Sequence, residues 1–280
     1  MAQQYPIVDL CLVLGVSRSS YYAWRSRPPS PRAVQNEVLR QKLSRLFAAN
    51  RKVCGSPRLT VCLQREGIPC SRNRVARHMR ALQLKARQKR AFKPKTTDSN
   101  HPHPIAANLL AAAPKPPSIN RTWVSDITYV STAQGWLYLA AVMDLYSRKI
   151  VGWSTSQSLE TSLVKEALQQ ALADRRPAAG LLHHSDRGVQ YASSAYRALL
   201  HSRRLRPSMS AAGNCYDNAA MESFWSTLKT EWLHTKNFHT HREARLAIFD
   251  YIETFYNPKR LHSALGYQSP ADFEQINHHE

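Results

Sequence analysis

Three acids stand in contexts that fit one another. Asp126 lies within Trp123-Val-Ser-Asp126-Ile-Thr-Tyr129, which reads as a strand, and Asp186 closes the apolar run Leu181-Leu-His-His-Ser-Asp186-Arg-Gly188. Glu222 lies in Asn214-Cys-Tyr-Asp217-Asn-Ala-Ala-Met-Glu222-Ser-Phe-Trp-Ser-Thr-Leu-Lys229, which reads as the opening of a helix. Thirty-five residues separate Asp186 from Glu222. Three converging carboxylates repel one another unless a cation joins them. Hard oxygen ligands suit Mg²⁺ (or Mn²⁺) over zinc, and two such ions in one site can cut and rejoin phosphodiesters. Asp144, Asp174 and Asp217 compete for the role. Asp144 ends a strand that could pass close by, and Asp217 is better explained as the N-cap of the Glu222 helix. Lys229 follows Glu222 by two helical turns, so both share a face, and its ammonium suits a DNA phosphate.

The charge says which phosphodiester. The chain of 280 residues carries a net +20. Residues 1–118 hold 22 Lys and Arg against 4 Asp and Glu, while residues 119–280 hold 17 against 15. A basic front that grips phosphates and a nearly neutral folded core follow from that division. No run of about 18 apolar residues exists, so no membrane span is expected, and the first residues lack a secretory pattern. Five scattered cysteines with no Cys-x-x-Cys pair favour reduced thiols and a cytoplasmic location. The histidine clusters, such as His183-His184, lack the cysteine pairs of a zinc finger.

The elements that must position these residues can be read in order. Residues 1–30 form a small helix-turn-helix. Ile7, Val8, Leu10, Leu12, Val13 and Leu14 are its apolar set, and Ser17 caps its second helix. Residues 33–92 form a second helix-turn-helix, a DNA-binding module. Pro57 starts one of its helices, and Ser71 caps a basic helix presented to the duplex. Arg58, Arg72, Arg74, Arg77, Arg80, Lys85, Arg87, Lys89 and Arg90 are the expected DNA contacts of this region, with Arg72, Arg74, Arg77 and Arg80 along one broad face. A Pro-rich basic linker covers 93–118. Residues 119–235 then run β-β-β-α-β-α-β-α, and 236–280 add a C-terminal helical extension. That order is the ribonuclease H arrangement, an α/β core of mixed sheet flanked by helices. It puts Asp126 on the central strand, Asp186 at the end of the neighbouring fourth strand, and Glu222 on a helix above them.

Trp123-x-x-Asp-Ile-Thr-Tyr129, His184-Ser-Asp-Arg-Gly-x-Gln-Tyr191 and Gly213-Asn-Cys-Tyr-Asp-Asn-Ala-x-x-Glu-Ser-Phe224 closely resemble the Asp-Asp-Glu transposases of bacterial insertion sequences. The nearest match is the downstream-frame (OrfB-type) product of the IS-three family. Tyr256-Asn-Pro-Lys-Arg-Leu-His262-Ser-Ala-Leu-Gly-Tyr-Gln-Ser-Pro270 resembles that family's closing motif. The resemblance implies a retroviral-integrase-like catalytic core and Mg-dependent cleavage at terminal inverted repeats. The freed 3′-hydroxyl would then be joined to target DNA. It also implies an oligomer on double-stranded DNA, and fusion to an upstream-frame product that supplies another helix-turn-helix and a zipper. One departure is Ala211-Ala212, where the family commonly has a basic pair. The alternative is a non-catalytic DNA-binding regulator or inhibitory partner derived from a transposase.

Overall fold

The computed structural model describes residues 5–87, 104–111, 114–210 and 218–277. These fall into two compact units, one of residues 1–49 and 55–85, the other of residues 50–54 and 86–280. The first unit is all helix: α1 (Ile7–Val13), α2 (Arg18–Ser26), α3 (Pro31–Ala49), α4 (Ser56–Arg65) and α5 (Arg72–Ala81). Leu39, Leu43 and Phe47 repeat at four-residue spacing, so they line one side of α3. They are buried, as are Leu59 and Leu63 of α4 and Val75 and Met79 of α5. Ser17 caps α2 by accepting the Ser20 amide, and Ser71 caps α5 by accepting the Arg74 amide. Gly67 ends the α4 turn at φ +75°, a conformation that suits glycine. The apolar set expected of α1 does not form a core. Cys11 is buried there, whereas Leu12 and Val13 are 83% and 82% exposed. Two short helices share a single contact face, which is too little surface to enclose the rest.

The second unit is built on a five-stranded sheet with order β3-β2-β1-β4-β5. The strands are β1 (Thr122–Thr132), β2 (Gly135–Asp144), β3 (Ile150–Ser156), β4 (Leu182–Ser185) and β5 (Arg206–Met209). The first three form an antiparallel meander, and β4 and β5 add in parallel on the other side of β1. Helices α6 (Thr161–Arg175), α7 (Val189–Ala192) and α8 (Ser194–Ser202) lie between the later strands in sequence, followed by α9 (Ala219–Glu231), α10 (His241–Tyr251) and α11 (Pro270–Asn277). Successive side chains of a strand point to opposite faces. On β1, Val124 and Val130 join a core with Met221, Phe224, Trp225 and Leu228 of α9, while Trp123 joins another with Leu163, Leu168 and Tyr196. The even-numbered face of β1 is therefore the α9 face. Gly152 lets α6 lie close against β3, since a Cβ there would overlap the Ala167 carbonyl and Ala171. Gly152→Ala is expected to lower the stability of this unit by about 1–3 kcal/mol, as overpacking does. A shifted denaturation midpoint in urea checks it.

The C-terminal residues fasten the sheet and α9 together. Asn257 grips β3 at both ends of one residue, accepting the Ile150 amide and donating to the Ile150 carbonyl at 3.0 Å each. Glu231, the last residue of α9, receives Arg260 at 2.7 and 2.8 Å and the Tyr251 hydroxyl at 2.8 Å, all buried. Glu274 of α11 accepts Arg175 at 2.6 Å, Ser147 at 2.7 Å and Lys149 at 3.2 Å. Asp144, a candidate acid by sequence, is turned away from the other acids. Its carboxylate accepts the amides of Asn120, Tyr146 and Ser147 and closes the β2–β3 turn.

Candidate active site

Register places the first two acids. In the parallel pair, Thr122, Trp123 and Val124 face Leu182, His183 and His184. Continued two residues, that register sets Asp126 level with Asp186 on the neighbouring strand, where strands stand about 4.8 Å apart. Asp126 occupies the even face of β1 and meets α9. Its Oδ2 accepts the Trp225 indole N–H at 2.9 Å and its Oδ1 accepts the Ile127 amide at 2.8 Å. Glu222 precedes Trp225 by three residues and Lys229 follows it by four, so all three lie along one side of α9. Trp225 is buried, Lys229 half-buried and Glu222 exposed.

The electrostatics report the crowding. Burial, then the charge of Asp186, pushes the Asp126 carboxyl up to about 7; the Ile127 and Trp225 hydrogen bonds oppose this and Glu222 adds to it. Burial, the neighbouring Tyr196 and the same two aspartates drive the Tyr191 phenol far up. Burial lowers the Lys229 ammonium, and Asp126 partly restores it. All three acids thus share one electrostatic neighbourhood. Among the described residues, no three His, Cys, Asp or Glu side chains enclose a point where an ion would sit. Residues 211–217, which lead into α9 and include Ala211-Ala212, lie outside the described residues. So does Asp217. The cap position of α9 is Asn218, which makes no capping bond and instead donates to the Ser125 carbonyl at 3.4 Å.

The flanking motif residues hold the acids. Asp186 Oδ1 accepts the Gly188 amide at 2.9 Å, and a Cβ at Gly188 would stand 3.0 Å from that oxygen, which accounts for glycine there. Arg187 Nε donates to the Ser210 carbonyl at 2.7 Å and ties the Asp186 turn to the end of β5. The histidine pair is internal scaffolding. His183 shares Nε2 between Ser125 at 2.9 Å and Tyr196 at 3.1 Å, and burial, then His184, lowers it to about 3. His184 bridges Ser208 at 2.9 Å and Ser210 at 3.1 Å.

The integrase core domain family matches residues 116–215 and, in a second form, residues 203–270; an HTH-like domain family matches residues 34–92. The chain is 45% identical over 269 residues to the insertion element IS600 uncharacterized 31 kDa protein of Shigella sonnei, covering 96% of this chain and 98% of that one. It is 40% identical over 278 residues to the transposase InsF for insertion sequence IS3A of Escherichia coli (strain K12), covering 98% and 96%. This chain belongs to the IS3 family of insertion-sequence transposases. Its likeness to solved structures is lower. The simian T-cell lymphotropic virus intasome in complex with the PP2A regulatory subunit B56 gamma aligns at TM-score 0.49 and 15% identity, covering 83% of this chain and 74% of the other.

The basic residues expected to touch DNA are divided by the structure of the transposase. Arg72, Arg77 and Arg80 of α5 are exposed, and Lys85 is exposed after it. Arg74 turns from that face and donates to Asn36 of α3 at 2.9 Å, because its position borders the buried Val75 and His78 side of the helix. Arg58 is half-buried in α4 and already has a partner. Arg87 donates to the Glu231 carbonyl at 2.6 Å and so braces the end of α9. Lys89 and Arg90 lie outside the described residues. Part of the linker expected over 93–118 is packed down: the Leu109 and Leu110 amides both donate to the Ser208 hydroxyl, at 2.9 and 3.3 Å.

Trp225 escaped the sequence reading, although its place three residues after Glu222 puts it on the same helical side. It acts as a positioning residue, fixing one oxygen of Asp126 from α9. Trp225→Phe keeps the ring and removes the donor. DNA cleavage is expected to fall roughly 10- to 100-fold, as for loss of a partner that orients a ligand. DNA affinity should stay within about twofold, since phosphate contacts dominate it. Cleavage and gel-shift assays on the same labelled ends check both.

Proposed function

We propose that this transposase cleaves DNA at the terminal inverted repeats of its element and joins the freed 3′-hydroxyl to a target phosphodiester. Asp126, Asp186 and Glu222 are its catalytic acids. The observation that carries this reading is the Asp126–Asp186 register beneath α9, which leaves an excess of negative charge that a divalent cation relieves. The donor set is all carboxylate oxygen, which fits Mg²⁺ or Mn²⁺, two ions per site, held by these three residues. Such ions supply activation of the attacking oxygen and charge stabilisation at the leaving oxygen. The chain's own groups do the rest. Trp225 and the Ile127 amide hold the Asp126 carboxylate, Gly188 holds that of Asp186, and Lys229 offers a cation to the phosphate beside them.

The exposed arginines of α5 and Lys85 grip duplex phosphates, with 33–92 as the DNA-binding module and 119–235 as the catalytic core. Two element ends must be brought together, so the working form is a homo-oligomer on DNA, completed by the upstream-frame product as a fusion. It acts on DNA in the cytoplasm; among the described residues no helix is long and apolar enough to cross a membrane.

Incubation with Mg²⁺ and labelled inverted-repeat ends tests the reading. Strand-transfer products support it. Binding without cleavage, in this chain and in the frame-fused form alike, would assign the protein a regulatory role instead. Cleavage confined to the RNA of hybrids would make it a nuclease.

A further inference from the structure

Beyond the acids, β1 and β2 carry an aromatic pair whose exposure packing does not explain. Trp136 opens β2 and is 52% exposed, although it is the largest of apolar side chains. It is not on a loose loop. Thr132 Oγ1 donates to the Gly135 carbonyl at 2.7 Å and accepts the Gln134 amide at 3.2 Å, Gly135 takes φ +103°, and the Ala133 amide donates to the Phe238 carbonyl at 2.9 Å. The turn therefore fixes where the indole stands. Tyr129 lies diagonally across the ladder, since Ser131 faces Trp136 and Tyr129 faces Tyr138. The two rings meet edge to face, with centroids 4.9 Å apart at 81°. Lys229 Nζ lies 4.7 Å from the centre of the Tyr129 ring, and Asp126 acts on the same ammonium. One cation thus lies over Tyr129 and feels the charge of Asp126.

We propose that Trp136, Tyr129 and Lys229 form a stacking platform for an unpaired base of the DNA end held in the active site, an inference that rests on the DNA-cleaving reading above. Every base offers a π-face, so a held-out indole binds bases without choosing among them, and an adjacent ammonium neutralises the backbone phosphate. Charge selects the occupant, because the Lys229 ammonium beside an exposed indole suits a nucleotide, which brings both a phosphate and a π-face, better than an apolar peptide.

The test uses the full chain and inverted-repeat duplexes that end blunt, in a three-nucleotide unpaired tail, or in the same tail made of abasic sites. Tight binding of the base-bearing tail is expected, with the abasic tail binding like the blunt end. Trp136→Ala is expected to lose roughly 5- to 100-fold toward the base-bearing tail alone, the range for one stacked base, and Trp136→Phe to recover most of it. Equal affinity for abasic and base-bearing tails overturns the proposal. So does a Trp136→Ala loss that is the same on all three DNAs. The readout is binding, so a chain that prefers the base-bearing tail but never cleaves would refute the catalytic reading and leave the platform standing.

Discussion

Asp126→Asn is expected to bind element ends as tightly as the parent chain while cleavage and strand transfer fall by more than about 100-fold. The bound comes from the partners that merely orient metal ligands, whose loss already costs up to that factor. Asparagine keeps the shape and can still accept from Ile127, but it removes the charge that would hold a divalent cation. A second consequence follows from the carboxyl raised to about 7. An isolated aspartate titrates near 3.9. A group whose folded pKa lies above its unfolded value contributes stability that is fully present below the unfolded pKa and lost as pH rises through the folded one. In a chelating buffer at pH 8, the parent chain therefore carries an uncompensated charge that Asp126→Asn lacks, and the variant should melt higher. Near pH 4 the two should melt together. Added Mg²⁺ at pH 8 should raise the melting temperature of the parent and leave that of the variant nearly unmoved. A variant that melts lower than the parent at pH 8 would show that Asp126 is instead a structural carboxylate.

The largest stability effect is expected at Arg260→Ala. Arg260 and Glu231 are both over nine-tenths buried, and Glu231 keeps the Tyr251 hydroxyl bond but loses its guanidinium when Arg260 is replaced. Breaking a buried pair from one side costs about 3–5 kcal/mol, because the other charge is left without compensation. For a unit of this size that corresponds to roughly 6–20 °C in melting temperature. Cleavage should fall with it, since Glu231 is the last residue of the helix that carries Glu222 and Trp225. Replacing both partners, as Glu231→Met with Arg260→Leu, should return most of the stability, because the penalty belongs to the orphaned charge and not to the absent bridge. Differential scanning calorimetry of the three variants separates these cases. A double variant as unstable as the single one would mean that the pair is worth more than its packing.

Much of the site was legible because its parts are local. Alternating residues around Asp126 mark a strand, and the buried run into Asp186 marks another. The stretch from Asn214 to Lys229 reads as the opening of the helix that must cover them. Element order then fixes which strand is central. Partners across long separations left no such trace. The Trp225–Asp126 bond joins residues 99 apart, and Asn257 reaches Ile150 over 107. Periodicity says which way a side chain faces but not what it will meet. Arg74 shows the limit from the other side: spacing lines it up with the exposed arginines of α5, and only the folded chain shows its bond to Asn36. The closing motif from Tyr256 was recognisable as a pattern, but only the folded chain gives its reason, a buried fastening of α9 and β3.

That fastening gives the enzyme an order of assembly. The groups that lock the Glu222 helix and the third strand belong to a stretch that follows all three acids in the sequence, from Tyr251 through Glu274. A chain clipped between the acids and this stretch would keep the three carboxylates and lose the groups that hold their helix and sheet together.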